Sequence, residues 1–144
     1  MAEFIGAPKM NIIRTQLLKE NGKYFVNPFG AKIEVDGDTG KQLEAKNVQP
    51  GEVLLGVRPE HIDLAGAAAE NTINGKVLVN EMMGSELHLH IQTEDGTKLI
   101  ARTPTVELSQ EERAQLKHGY DVHLTFPGKV MYFFDPETER NLIY

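Results

Sequence analysis

The sequence predicts a mainly β protein, built from small barrel-like units with one short helix. Three observations carry this. About nine short apolar stretches recur at roughly 8–12-residue spacing, the rhythm of a barrel or sandwich. Thirteen Gly and seven Pro supply turn formers between them. A single stretch, Gln110–Lys117, carries both a helix start and a helix stop signal.

Taken in chain order, Asn11–Leu18 opens apolar and β-branched and stops at Glu20-Asn21-Gly22, where Asn-Gly is a strong hairpin turn. Lys23–Asn27 follows, with Tyr24 and Val26 on one face and Phe25 on the other. Pro28 and Gly30 break the chain, and Ala31–Val35 alternates again before a turn at Asp36-Gly37-Asp38. Glu52–Val57, between Pro50-Gly51 and Pro59, reads as a buried or edge strand. Asp63–Asn74, with its three alanines, reads as a surface loop. Ile73–Met83 is the longest strand and ends at Gly84. Glu86–Gln92 alternates strictly, with Leu87, Leu89 and Ile91 on one face and Glu86, His88 and His90 on the other. The turn Glu94-Asp95-Gly96-Thr97 then folds Lys98–Arg102 back as a hairpin. Ser109 and Glu112 form a capping box for the helix, which stops at Gly119. Tyr120–Phe126 and Val130–Phe134 read as a last hairpin across Pro127-Gly128. Residues 2–6 read as the tail of another helix. Two lobes are expected, spanning about residues 7–50 and 51–144.

Composition narrows the function. At 144 residues, 40% hydrophobic and 25% charged, the chain is one globular domain in size. A net charge of −6 opposes nucleic acid or anionic lipid as a partner, since both select basic surfaces. The absence of cysteine excludes disulfides, thiol catalysis and thiolate metal sites. No run approaches the roughly 18–20 apolar residues of a membrane helix, and no signal segment precedes Asn11. The chain reads as soluble and cytosolic, without membrane insertion.

Catalytic patterns are sought and not met. Gly-Lys occurs four times, at Lys23, Lys41, Lys76 and Lys129, but none is followed by the Ser or Thr that a P-loop needs for magnesium. Leu108-Ser109-Gln110 echoes a transporter signature without its glycines, and capping explains it. Ser85 follows Gly84 outside any nucleophile elbow, so no catalytic residue is assigned. Glu86, His88 and His90 offer a carboxylate and two imidazoles on one face, a zinc arrangement to which His123 is a conceivable addition. A solvated outer strand face accounts for the same three residues. His61 lies in a Pro-Glu-His turn and His118 near a helix end, where the helix dipole would favour it.

Four segments go further. Glu3-Phe4-Ile5-Gly6-Ala7-Pro8-Lys9-Met10-Asn11, Gly56-Val57-Arg58-Pro59-Glu60-His61-Ile62, Glu81-Met82-Met83-Gly84-Ser85-Glu86 and Phe133-Phe134-Asp135-Pro136-Glu137-Thr138 follow one another in that order. The set resembles the C-terminal regulatory domain, a TOBE-type OB-fold region, of the ATP-binding subunit in maltose/oligosaccharide ABC importers. The Arg-Pro-Glu-His segment is the most specific of them. The resemblance implies a non-catalytic domain that keeps two ATPase subunits paired as homodimer partners while their nucleotide halves open and close. It also implies transporter membrane subunits as partners, a regulatory protein in some members, and a cytoplasmic place at the inner face of the membrane. No cofactor is implied for this chain; ATP and magnesium belong to an upstream domain, and Met1-Ala2 directly before Glu3 suggests a chain cut just after it.

Arg58, Pro59, Glu60, His61, Gly84, Glu86, Met10 and Asn11 carry over as motif or interface positions. Arg58 is expected to pair with Glu60 or a backbone carbonyl, Pro59 to end a strand, and Gly84 to serve backbone shape. Glu139, where the family has Gly, and Pro127-Gly128, in place of an acidic turn, depart from the pattern. A small-ligand sensor is the competing reading, because related domains in molybdate systems resemble oxyanion-binding modules. That subfamily's Ser-Ala-Arg-Asn motif is missing here.

Overall fold

Two five-stranded sheets hold the strands of residues 10–142, the part of the chain described by the computed structural model. The helix tail expected at residues 2–6 lies outside the described residues. Each sheet belongs to its own compact unit. One unit runs through Arg58 and resumes at Phe126, and the other is Pro59–Thr125.

In the first unit the sheet order is β10-β4-β1-β2-β3. Strand β1 (Asn11–Glu20) turns back into β2 (Lys23–Val26) through Asn21 and Gly22, at φ 51° and 79°. Two left-handed residues in succession give the turn whose twist matches paired strands, so Asn-Gly acts as expected. Along β1, Ile13, Thr15 and Leu17 are buried while Arg14 and Gln16 face solvent. Strand β3 shrinks to Ile33–Glu34. Strand β4 (Gly51–Val57) is buried continuously from Val53 to Val57, and β1 and β10 (Tyr132–Phe134) pair along its two edges. A stretch buried on both faces needs apolar residues at successive positions, which Val53–Val57 supplies, while Glu52 before it stays exposed.

The division expected near residue 50 therefore falls elsewhere. Strand β4, assigned to the second lobe, pairs with β1 over seven residues and stays in the first unit. The expected hairpin between Tyr120–Phe126 and Val130–Phe134 does not form either. Strand β9 (Asp121–Thr125) pairs with β5 and β6, whereas β10 pairs with β4. Pairing chosen across 76 residues of chain, as in Tyr132 with Gly56, leaves no local signal.

A second helix also appears. The predicted turn at Asp36 opens α1 (Gly37–Ala45), with the Asp36 carboxylate accepting from the Asp38 N–H. Two glycines and a threonine make this a poor helix by propensity. Burial of Thr39 and Leu43, four residues apart on one face, overrides that.

In the second unit the order is β5-β9-β6-β7-β8. The central hairpins are those the alternation predicts: β6 (Ile73–Met83), β7 (Glu86–Thr93) and β8 (Lys98–Pro104). Leu87, Leu89, Ile91, Leu99 and Ala101 fill its core. Helix α2 (Gln110–Gln115) carries the full capping box of Ser109 and Glu112, and Gly119 follows at φ 88°. Part of the expected surface loop is instead β5 (Asp63–Ala65), paired to β9. No helix among the described residues is long and apolar enough to cross a membrane.

Candidate functional site

The motif residues gather in two places, one in each unit. In the second unit, β7 and β8 pair with His88 opposite Arg102, which puts Glu86 on the diagonal from Arg102 on the same face. That geometry gives a bidentate contact: Arg102 Nη2 donates to Glu86 Oε1 at 2.8 Å, and Arg102 Nε to Oε2 at 3.2 Å. The other guanidinium nitrogen, Nη1, lies 3.7 Å from Glu60 Oε1. Glu60 sits in the 3₁₀ turn Pro59–His61, so one arginine ties the Pro-Glu-His segment to the hairpin that carries Glu86.

Glu60 thus reaches Arg102, and the expected partnership of Glu60 with Arg58 is replaced. Arg102 was missed in the sequence because it reads as the last residue of a strand. The signal was present in the hairpin register, since the Glu94–Thr97 turn fixes which residue faces Glu86. Hydrogen bonding to Arg102 holds the Glu86 carboxyl below the ordinary glutamate range and raises Arg102 further above its usual value.

Because the folded Glu86 value is depressed, the pair contributes stability above the pKa of the unfolded glutamate. That contribution is lost as pH falls through the folded value. Arg102→Gln is expected to return Glu86 to the ordinary range, read by carbon-detected NMR titration of its carboxyl. An unchanged Glu86 titration would remove Arg102 as the cause.

Gly84 completes this cluster at the β6–β7 tip, at φ 65°, where L side chains are strained. His61 Nδ1 is buried without a hydrogen-bond partner. On the face of Glu86, His88 and His90, Glu86 is engaged by Arg102 and His90 Nε2 by Glu81 Oε1. His123 Nδ1 contacts Asn74 Oδ1 at 2.7 Å, and His118 Nδ1 meets the Leu78 carbonyl oxygen at 3.0 Å. Among the described residues no cluster of three or more His, Cys, Asp or Glu is placed to hold a metal ion.

In the first unit, Asn11 Nδ2 donates to the Val57 carbonyl at 3.2 Å, and β1 and β4 pair Asn11 with Val57. A Cβ on Gly56 would meet Phe134 Cε2 at 2.8 Å and Met10 Sδ at 3.0 Å, so the Gly of the motif is required by packing. Arg58 lies over the Tyr132 ring, 5.6 Å from its centroid, while its Nε is buried without a partner. The closing motif is a turn in which Asp135 Oδ1 accepts from the N–H groups of Glu137 (2.8 Å) and Thr138 (2.9 Å). Those bonds, from Thr138 first, hold the Asp135 carboxyl below the ordinary range. Glu139 takes φ 61°, the left-handed conformation natural to the Gly it replaces.

Two open grooves lie in the second unit. One, about 310 Å³, is lined by Leu64, Gln115, Leu116, Tyr120 and Val122. The other, about 550 Å³, is lined by Asn74, Lys76, Gln92, Thr93 and Asp121.

Comparison with known proteins agrees with this distribution. The MalK OB fold domain family matches residues 6–62, and the TOBE domain family matches residues 55–134. The multiple sugar-binding transport ATP-binding protein MsmK of Streptococcus mutans is 31% identical over 143 residues, covering 96% of this chain and 35% of MsmK. The sn-glycerol-3-phosphate import ATP-binding protein UgpC of Cereibacter sphaeroides is 32% identical, covering 99% of this chain and 34% of UgpC. The chain spans about a third of the length of the curated relatives it matches. Among solved structures, the molybdate-bound cytoplasmic molybdate-binding protein ModG superposes with a TM-score of 0.67 at 16% identity, covering 88% of this chain and 96% of ModG, a likeness of fold. With the TOBE match covering more than half of its residues and the MalK-type OB-fold match covering the remainder of its first unit's opening strands, this mainly β chain belongs to the TOBE domain family.

Proposed function

We propose that this chain is the non-catalytic regulatory and pairing domain of the ATP-binding subunit of an ABC importer for sugars. The observation that carries the reading is the alignment of nearly the whole chain with a third of importer ATP-binding subunits. In this reading ATP and magnesium are bound by a separate nucleotide-binding domain, and the chain works at the inner face of the membrane, with the importer's membrane subunits as partners. Its contribution is a tether. Two subunits joined through it keep their catalytic halves at high effective concentration after ATP hydrolysis, so reopening does not become dissociation. Arg102, by fixing Glu60 against Glu86, keeps the Pro59–His61 turn in one conformation in this scheme.

Light scattering of the chain over a concentration series tests the pairing. A mass rising from monomer toward dimer is expected by about 500 µM, the regime of small interfaces. A constant monomer mass at that concentration would remove the tether.

A second reading, a small-ligand sensor, is favoured by the two grooves and the ModG-like fold. Calorimetry with molybdate, sulfate and maltodextrins tests it. Saturable heat from one of them would move the assignment to sensing, and no heat from all three would end it.

A further inference from the structure

We propose that the groove where β9, β6 and β7 lie side by side in the second unit is a binding site for a neutral polyhydroxylated ligand, a sugar or polyol. The proposal rests on the small-ligand reading above and gives it a place and a ligand class. The groove is the one of about 550 Å³, a volume within the range of small-molecule sites.

Strand register builds the site. Strand β6 sets Asn74 opposite His123 and Lys76 opposite Asp121 on β9, and Lys76 again opposite Gln92 on β7. Side chains two residues apart on a strand share a face, so these five form one surface. The residues between them serve the other face: Val122 is buried, and a Cβ on Gly75 would meet Ile91 Cγ2 at 2.6 Å. The polar groups therefore stand about 4.8 Å apart between strands and about 6.8 Å apart along them, distances that a six-membered ring with its hydroxyls can span.

Hydrogen bonds within the lattice decide what it offers a ligand. Asn74 Oδ1 can only accept, so the 2.7 Å contact takes its hydrogen from His123 Nδ1. The Asn74 amide hydrogens remain as donors, and the neutral imidazole keeps a lone pair at Nε2. Lys76 Nζ donates to Asp121 Oδ1 at 2.7 Å, which leaves two ammonium hydrogens and the second carboxylate oxygen. Gln92 Nε2 donates to the Gly96 carbonyl at 3.4 Å, which leaves its Oε1 to accept. Each pair across the β6–β9 ladder thus offers a donor beside an acceptor. A hydroxyl gives and receives at once, so adjacent hydroxyls match such pairs.

Charge sets the class. Residues Pro59–Thr125 hold eleven Asp and Glu against five Lys and Arg, so an anion meets net repulsion. Lys76 opposes a cation in the same groove. An apolar ligand would strip water from these groups without replacing its hydrogen bonds. A neutral ligand rich in hydroxyls meets none of the three obstacles.

NMR titration of the nitrogen-15-labelled chain with maltose and with sorbitol tests the site, taken to about 50 mM, well above the millimolar affinity of an open groove. Saturable shifts of the Asn74, Lys76, Gln92, Asp121 and His123 amides are expected with at least one of them. The double variant Lys76→Ala, Asp121→Ala is expected to weaken that binding about tenfold, the usual consequence of removing hydrogen bonds to charged groups. Its two side chains are 64% and 71% exposed, so the fold does not depend on them. Saturable shifts confined to other residues, or an affinity unchanged in the variant, would overturn the groove while the small-ligand reading survives. Molybdate shifting these five amides where maltose and sorbitol do not would overturn the ligand class and keep that reading. No saturable shift with any of the three would overturn both.

Discussion

Gly128→Ala is expected to destabilise the first unit by about 3 kcal/mol, lowering its unfolding temperature by roughly 10 °C. The reason is contact with backbone. A Cβ on Gly128 would stand 2.3 Å from the Glu34 carbonyl oxygen, 2.6 Å from the Asp36 nitrogen and 3.1 Å from the Val35 carbonyl carbon. No rotamer change relieves such a clash, because the crowded atoms are main chain leading into α1. Separation would also cost the Asp36 N–H its bond to the Gly128 carbonyl, now 3.3 Å. Gly66→Ala is the control: its Cβ would meet nothing within 4 Å, and its change is expected to stay within about 0.5 kcal/mol. Thermal unfolding followed by circular dichroism checks both. Equal midpoints for the two variants would show that the close approach at Gly128 is not as described.

Phe134→Ala is expected to cost the first unit about 4 kcal/mol, the usual loss for a fully buried aromatic ring. Phe134 is 1% exposed, pairs with Leu54 in β4, and lies against Gly56. The same contact makes a coupled prediction. Gly56→Ala alone should cost about 2 kcal/mol, since its new methyl would meet the ring at 2.8 Å. In the Phe134→Ala background that cost should shrink by about 1 kcal/mol or more, because the obstructing ring is gone. Urea midpoints of the four proteins close the cycle, and strict additivity would refute the contact. Gly56 and Phe134 come from two of the family-like segments, so the cycle also asks why those segments occur together.

Much of the candidate site could be read before the fold was known, though in separate pieces. Glu60 and Glu86 were both singled out from motifs 26 residues apart, yet nothing local says that one guanidinium serves both. Arg102 joins them only because β7 and β8 lie in one register and the Pro59–His61 turn approaches the same side chain. Glu139 shows the opposite case. Its departure from the family's Gly marked the position, and the left-handed backbone supplies the reason. Gly84 was legible because a tight turn demands a conformation that few residues accept.

By itself the sequence determined what depends on neighbours in the chain. The Asn21-Gly22 and Glu94–Thr97 turns, the alternation of β7 and the capping box of α2 all arise within a few residues, so local sterics and hydrogen bonding decide them. Tertiary structure alone decided which strands share a sheet. Strand β4 went with β1 and β10, β5 became a strand by pairing with β9, and α1 formed over poor helix formers by burying Leu43. Those choices rest on burying apolar surface and closing backbone hydrogen bonds between distant segments, and such energies exist only once the chain has come together.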